Sequence, residues 1–67
     1  MNLYRRENAH GVTYLEPSMK YKLHKPRKAQ YWELHEFRTN KYVVARYFIH
    51  FKNAKQYLKN ILEEPTI

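Results

Sequence analysis

Basic and aromatic side chains are interleaved along the middle of this sequence. Residues 20–28 hold five Lys and Arg side chains in nine positions, and residues 42–48 hold three aromatic rings and one arginine. Cations neutralise the phosphates of nucleic acids, and flat rings stack on bases. The side chains that we predict to contact such a ligand are Lys20, Lys22, Lys25, Arg27, Lys28, Arg38, Lys41, Tyr42, Arg46 and Phe48.

The net charge of +7 on 67 residues favours an anionic partner. Eleven of the 13 Lys and Arg residues lie between Lys20 and Lys59, and only Glu33 and Glu36 oppose them in that stretch. A positive field of this kind attracts nucleic acid, an acidic protein surface or an anionic membrane. Two interpretations of Arg46 are equally favoured: it contacts the ligand, or it pairs with Glu33 across the hairpin. The alternative interpretation of residues 20–28 is a solvated loop with no ligand.

The sequence lacks the side-chain sets that catalysis and metal binding need. It has no Cys, no Asp and a single Gly, so it holds no thiol nucleophile and no glycine-rich phosphate loop. Glu33 and Glu36, three apart on a predicted strand, point to opposite faces and cannot act as an acid and base pair. The four His residues form no close pair of the kind that a zinc site uses. We therefore expect a non-enzymatic protein without metal or cofactor.

The C-terminal part of the sequence predicts a helix over 53–64. Its apolar side chains follow helical spacing and form one stripe, from Ala54 to Leu62. Asn53 is a favourable N-cap with Gln56 three residues later, and Pro65 prevents continuation.

Residues 31–37 and 42–51 predict two strands of a hairpin, because both are rich in β-branched and aromatic residues. Residues 38–41 form the turn between them. A symmetric turn pairs Phe37 with Tyr42, His35 with Val44, Glu33 with Arg46, and Tyr31 with Phe48 on one face. The helix is expected to cover the opposite, more apolar face, where Trp32 and Leu34 lie.

Residues 19–24 alternate apolar and basic side chains and predict a further strand. A short strand at 12–15 is a second expectation, and residues 1–10 are expected to be extended or mobile. The fold class is therefore α+β, an antiparallel sheet of three to four strands with one C-terminal helix on one face, in a single small domain over 1–67. The uncovered face would present the basic and aromatic side chains, including Tyr42, Arg46 and Phe48.

Three short motifs, Gly11-Val12, Trp32-Glu33-Leu34 and Phe51 with Asn53-Ala54, resemble the AP2-type and integrase arm-binding DNA-binding domains over about 50 residues. The resemblance implies three strands followed by a C-terminal helix. It also implies that the sheet face enters the DNA major groove, with Lys20, Lys22 and Arg46 among the contacts.

The expected function is binding of DNA or RNA. The alternative is a small interaction or inhibitor protein, of the kind that phages and mobile elements encode, docking a basic surface on an acidic host protein. A homodimer is compatible with either function. The absence of cysteine and of a long apolar run leads us to expect a cytoplasmic protein without membrane association.

Overall fold

The computed structural model describes residues 2–63 and has an α+β fold. One antiparallel sheet runs in the order β1-β2-β3-β4-β5, and one helix follows it. The sheet has five strands, where the sequence predicted three to four. The elements are β1 (Tyr4–Asn8), β2 (Gly11–Leu15), β3 (Tyr21–Pro26), β4 (Trp32–Arg38), β5 (Lys41–Phe48) and α1 (Phe51–Glu63).

The N-terminal residues form the first hairpin of the sheet, so residues 4–8 are a paired strand. Asn8 pairs with Gly11, and the Asn8 Oδ1 accepts a hydrogen bond of 2.8 Å from the His10 amide. This local bond stabilises the two-residue turn between β1 and β2. Gly11, the first residue of β2, has a φ of +131°, a conformation that favours glycine.

The β4–β5 hairpin has the predicted turn but only part of the predicted register. Thr39 and Asn40 both have positive φ, the geometry of a tight two-residue hairpin turn. Phe37 pairs with Tyr42 and His35 with Val44, as predicted. Beyond His35 a β-bulge at Ala45 shifts the register by one residue.

The bulge exchanges the faces of the residues that follow it, because side chains alternate along a strand. Trp32 pairs with Phe48, Leu34 with Arg46, and Glu33 with Tyr47. The predicted pairs Glu33–Arg46 and Tyr31–Phe48 are therefore wrong.

Helix α1 begins two residues before the predicted start. The His50 carbonyl accepts from the Asn53 amide at 3.1 Å and from the Ala54 amide at 3.2 Å, so Asn53 lies inside the first turn and is not the N-cap. The predicted last residue, at position 64, lies outside the described residues. No helix among residues 2–63 is long and apolar enough to cross a membrane.

The core lies between α1 and the face of the sheet that the helix covers. Leu23, Ala54 and Leu58 are fully buried, and Leu34 is nearly so. Phe51, Tyr14 and Trp32 form an aromatic cluster beside these residues. The centroid of the Phe51 ring lies 4.7 Å from the centroids of both the Tyr14 and the Trp32 rings. The helix thus covers the face predicted for it, and within residues 2–63 no helix packs on the opposite face of the sheet.

Candidate functional site

The face of the sheet opposite α1, here called the open face, follows from the register and the alternation of side chains. One row of cross-strand neighbours runs over all five strands from Arg6 to Tyr47, and the next from Tyr4 to Val44. The side chains of the open face include Tyr4, Arg6, Asn8, Thr13, Leu15, Lys22, His24, Pro26, Glu33, His35, Phe37, Tyr42, Val44 and Tyr47. Glu33 is the single carboxylate among them, within the described residues.

Lys22 and Tyr42 form a fixed cation and ring pair on the open face. The Lys22 Nζ lies 4.3 Å from the centroid of the Tyr42 ring. The Tyr42 hydroxyl donates a hydrogen bond to the Met19 carbonyl, which ties β5 to the loop before β3. The Phe37 ring packs edge-on against Tyr42, with 5.1 Å between centroids. The Tyr42 side chain is therefore held in place from three sides.

A shallow groove of about 470 Å³ lies beside this pair. We call it the Tyr4–Tyr42 groove. Its lining combines two tyrosines, three cations, small polar groups and the apolar Leu15 and Met19: Tyr4, Arg5, Arg6, Asn8, Thr13, Leu15, Met19, Lys22 and Tyr42. Such a lining offers contacts to an anionic group and to a flat ring at the same place.

The centre of the open face holds two histidines and Glu33. His35 Nε2 lies 2.9 Å from Glu33 Oε1, and His24 Nδ1 lies 2.9 Å from the Thr13 hydroxyl. The two imidazole rings meet edge to face, 6.0 Å apart.

Burial lowers the pKa of His24, because it disfavours the charged imidazolium. Among the groups that face it, Glu33 raises that pKa, whereas His35, Lys22 and His10 lower it. The net result is a pKa below the usual 6.5. His24 is therefore neutral in the free protein at neutral pH, and a bound anion would favour its protonation.

Three of the predicted contact residues lie on or beside the open face. Lys22 and Tyr42 are there, and Lys20 lies at the adjoining edge, in a second depression of about 420 Å³ with Phe37 and Tyr42. Their grouping follows from the pairing of β3 with β4 and of β4 with β5.

Five predicted residues lie at the two ends of the sheet. Lys25, Arg27 and Lys28 line a depression at the end that holds the β1–β2 turn. Arg38 and Lys41 flank the β4–β5 turn at the other end. Residues 20–28 are consequently not one loop, since β3 separates their basic side chains into two groups.

Arg46 and Phe48 do not lie on the open face, contrary to the expectation. Both follow the bulge at Ala45 and point to the helix side of the sheet. The Arg46 guanidinium lies 4.8 Å from the centroid of the Tyr57 ring, and the Phe48 ring lies 5.4 Å from that of Tyr57. Phe48 packs against the core, whereas Arg46 remains exposed.

The sequence prediction missed Tyr4, Arg6 and Tyr47 as members of the open face. The first two belong to β1, which was not predicted to be a strand, and Tyr47 reaches this face only through the bulge. Tyr4 and Tyr47 are 65% and 62% exposed. Their exposure matters because only accessible rings can meet a ligand.

The described residues contain no group of three or more His, Cys, Asp or Glu side chains that could hold a metal ion. No protein-family model, curated protein or solved structure matches this chain.

Proposed function

We propose that this protein binds nucleic acid through the open face and catalyses no reaction. The observation that carries the proposal is the Lys22–Tyr42 pair, a cation 4.3 Å from a ring centroid at the margin of the Tyr4–Tyr42 groove. A phosphate needs the cation, and a base or sugar needs the ring.

The charge distribution supports the same ligand. Arg6 and Lys22 are the Lys and Arg side chains of the open face itself, and Lys20 adjoins them. The single carboxylate of this face within residues 2–63, Glu33, is engaged by His35. Basic groups at both ends of the sheet extend the positive field beyond the face. Such a field steers a polyanion towards the sheet.

The first test is the double substitution Arg6→Glu and Lys22→Glu, measured by fluorescence anisotropy with labelled DNA and RNA at about 50 and 200 mM salt. We expect affinity to fall at least about tenfold and the salt slope to drop by about two, because two phosphate contacts are lost. Far-UV circular dichroism and a urea titration establish that the variant is folded.

The matched control is Lys55→Glu with Lys59→Glu, which makes the same change in net charge on exposed helix positions. We expect this control to bind much more tightly than the open-face variant. Equal losses in the two variants would show that total charge, not the open face, governs binding. If neither DNA nor RNA binds the native protein, the proposal fails and an acidic protein partner becomes the next candidate.

A second prediction concerns pH. His24 has a lowered pKa in the free protein, and a phosphate bound nearby would raise it, so binding takes up a proton. We therefore expect affinity to rise as the pH falls from about 8 to about 6, near the ordinary histidine pKa. The measurement is anisotropy at constant ionic strength across that range.

The substitution His24→Gln is expected to flatten this pH dependence while keeping the contact with Thr13 possible. His50→Gln is the control, because His50 is an exposed histidine just before α1 and is not one of the groups that shift the pKa of His24. An unchanged pH profile in His24→Gln would remove His24 from the binding site. Because the pKa of His24 is depressed in the folded state, its contribution to stability of the free protein is present above about pH 6.5 and is lost as the pH falls.

A further inference from the structure

We propose that the ligand is single-stranded, and that one unpaired nucleotide occupies the Tyr4–Tyr42 groove. This inference rests on the proposed function and names the class of nucleic acid that the open face accepts. The geometry of the sheet, the exposure of its rings and the volume of the groove each contribute to it.

The width of the sheet is an argument against the open face entering the major groove of duplex DNA to contact base edges. Five strands in one layer span about 19 Å from the first to the last, at about 4.8 Å per strand. The major groove of DNA is about 12 Å wide and admits a helix or a two-stranded ribbon. The open face as a whole is too wide to enter it. A duplex groove would admit at most part of this face, so rings spread over β1, β4 and β5 would not all reach bases at once.

The exposed rings argue for unpaired bases. Tyr4 is 65%, Tyr47 62% and Phe37 45% exposed, and these rings are distributed over β1, β4 and β5. In a duplex the faces of the bases are stacked on one another and cannot receive a side-chain ring. In a single strand each base has an accessible face, and stacking on aromatic side chains is tolerant of sequence.

The Tyr4–Tyr42 groove has the volume and the lining for one nucleotide. Its 470 Å³ lies within the range of about 300–1,000 Å³ that small-molecule sites occupy. Arg6 and Lys22 are placed to neutralise a phosphate, and Leu15 supplies an apolar surface for a sugar or base edge. The hydrogen bond from the Tyr42 hydroxyl to Met19 fixes one ring before the ligand arrives. Less side-chain entropy is then lost on binding.

The test compares four labelled ligands of equal length by anisotropy: single-stranded DNA, single-stranded RNA, the DNA duplex and an abasic DNA strand. We expect a single strand with bases to bind at least about tenfold more tightly than the duplex and the abasic strand. Comparing the affinities for single-stranded DNA and single-stranded RNA shows which of the two nucleic acids the protein prefers.

The substitutions Tyr4→Leu and Tyr42→Leu remove one ring each and leave every charge in place. We expect each to weaken single-strand binding by about 5- to 150-fold, the effect of losing one stacked base, without change in the salt slope. Tyr4→Phe keeps the ring and is the matched control, expected to bind within about twofold of the native protein. If Tyr42→Leu does not fold, Tyr4→Leu and the four-ligand comparison decide the question, because Tyr4 is largely exposed.

Duplex binding as tight as single-strand binding, unaffected by Tyr4→Leu, would overturn this inference while leaving the proposed function in place. Equal binding of the abasic strand and the strand with bases would do the same, since it would show that only phosphates are recognised. Failure of all four ligands to bind would overturn the proposed function itself, so the two failures are distinguishable.

Discussion

Replacing Gly11 with alanine is expected to remove a large part of the folding stability of this protein. A Cβ at this position would lie 2.1 Å from the Lys25 carbonyl oxygen and 3.0 Å from the Arg27 amide nitrogen. Both are backbone atoms of the neighbouring strand end, so relief of the clash requires movement of the main chain. The φ of +131° adds strain for any residue with a side chain.

The close approach at Gly11 joins the first hairpin to the rest of the sheet. Gly11 pairs with Pro26, and the Arg27 amide donates to the His10 carbonyl at 3.0 Å. We expect Gly11→Ala to lower the free energy of unfolding by about 3 kcal/mol or more, a large part of the stability of so small a domain. Urea titration followed by circular dichroism measures it.

Asn8→Ala is the control in the same hairpin. It removes one exposed turn hydrogen bond, to the His10 amide, and creates no clash. We expect it to cost about 1 kcal/mol or less. A Gly11→Ala protein as stable as Asn8→Ala would mean that the hairpin can move away from β3, and that β1 is not firmly held.

The secondary structure could be predicted wherever a short sequence pattern is typical of one structure only. Residues 38–41 gave a turn, and the apolar stripe around Ala54 and Leu58 gave a helix covering one face of an antiparallel sheet; all of this is confirmed. The register was correct from the turn to His35, because pairing next to a tight turn is set by the turn itself.

Two features had no visible signal in the sequence. The bulge at Ala45 cannot be located from the sequence, because Ala fits a regular strand as well as a bulge. Strand β1 is exposed at all five positions, so it has no apolar alternation from which a strand could be predicted. Its pairing with β2 is held by the turn bond at Asn8 and by the backbone conformation of Gly11.

The unpredicted bulge in β5 and the unpredicted strand β1 explain which residues of the candidate site were predicted and which were not. Tyr42 lies in the part of the β4–β5 hairpin whose register was predicted, Lys22 lies in the predicted strand at 19–24, and both are on the open face. Arg46 and Phe48 follow the bulge and were assigned to the wrong face, while Tyr4 and Arg6 were missed with β1. The charge of the surface could therefore be predicted from composition, but its arrangement also depends on the bulge in β5 and on the pairing of β1 with β2.

Loss of the Glu16 carboxylate is the second change that we expect to destabilise the fold strongly. Glu16 is 2% exposed and lies in the loop between β2 and β3. Its oxygens accept from the amide of Ser18 at 2.7 Å and from the amides of Lys20 and Tyr21 at 3.0 Å each, and also from the Ser18 hydroxyl. One side chain thus satisfies most of the backbone donors of a loop in which Met19 has positive φ.

Glu16→Gln keeps the shape of the side chain but replaces one carboxylate oxygen with an NH₂ group. That group is a hydrogen-bond donor and cannot accept the bonds that the backbone amides donate to Glu16. We expect a loss of about 2–3 kcal/mol at pH 7, because hydrogen bonds to a charged group are among the stronger ones and a buried donor is left unpaired. The urea midpoint measures the change. Glu7→Gln is the control, since Glu7 is an exposed carboxylate on the edge strand β1.

The same carboxylate makes stability depend on pH. Burial raises the pKa of Glu16, but the hydrogen bonds from Ser18, Tyr21 and Lys20 lower it by more, so its pKa in the folded protein is below the usual 4.5. A carboxylate with a depressed folded-state pKa stabilises the fold above its unfolded pKa, and this contribution is lost as the pH falls through the folded value. Stability should therefore fall below about pH 4.5.

The Arg38 hydrogen bond likewise lowers the pKa of Glu36, which adds to the acid sensitivity. Urea titrations at pH 7, 5, 4 and 3 on the native protein, Glu16→Gln and Glu36→Gln separate the two contributions. Glu16→Gln should lose less stability between pH 5 and 3 than the native protein, because it has already lost that contribution at pH 7. An unchanged acid dependence in Glu16→Gln would mean that the loop does not depend on the charge of this side chain, and that its amides find other acceptors.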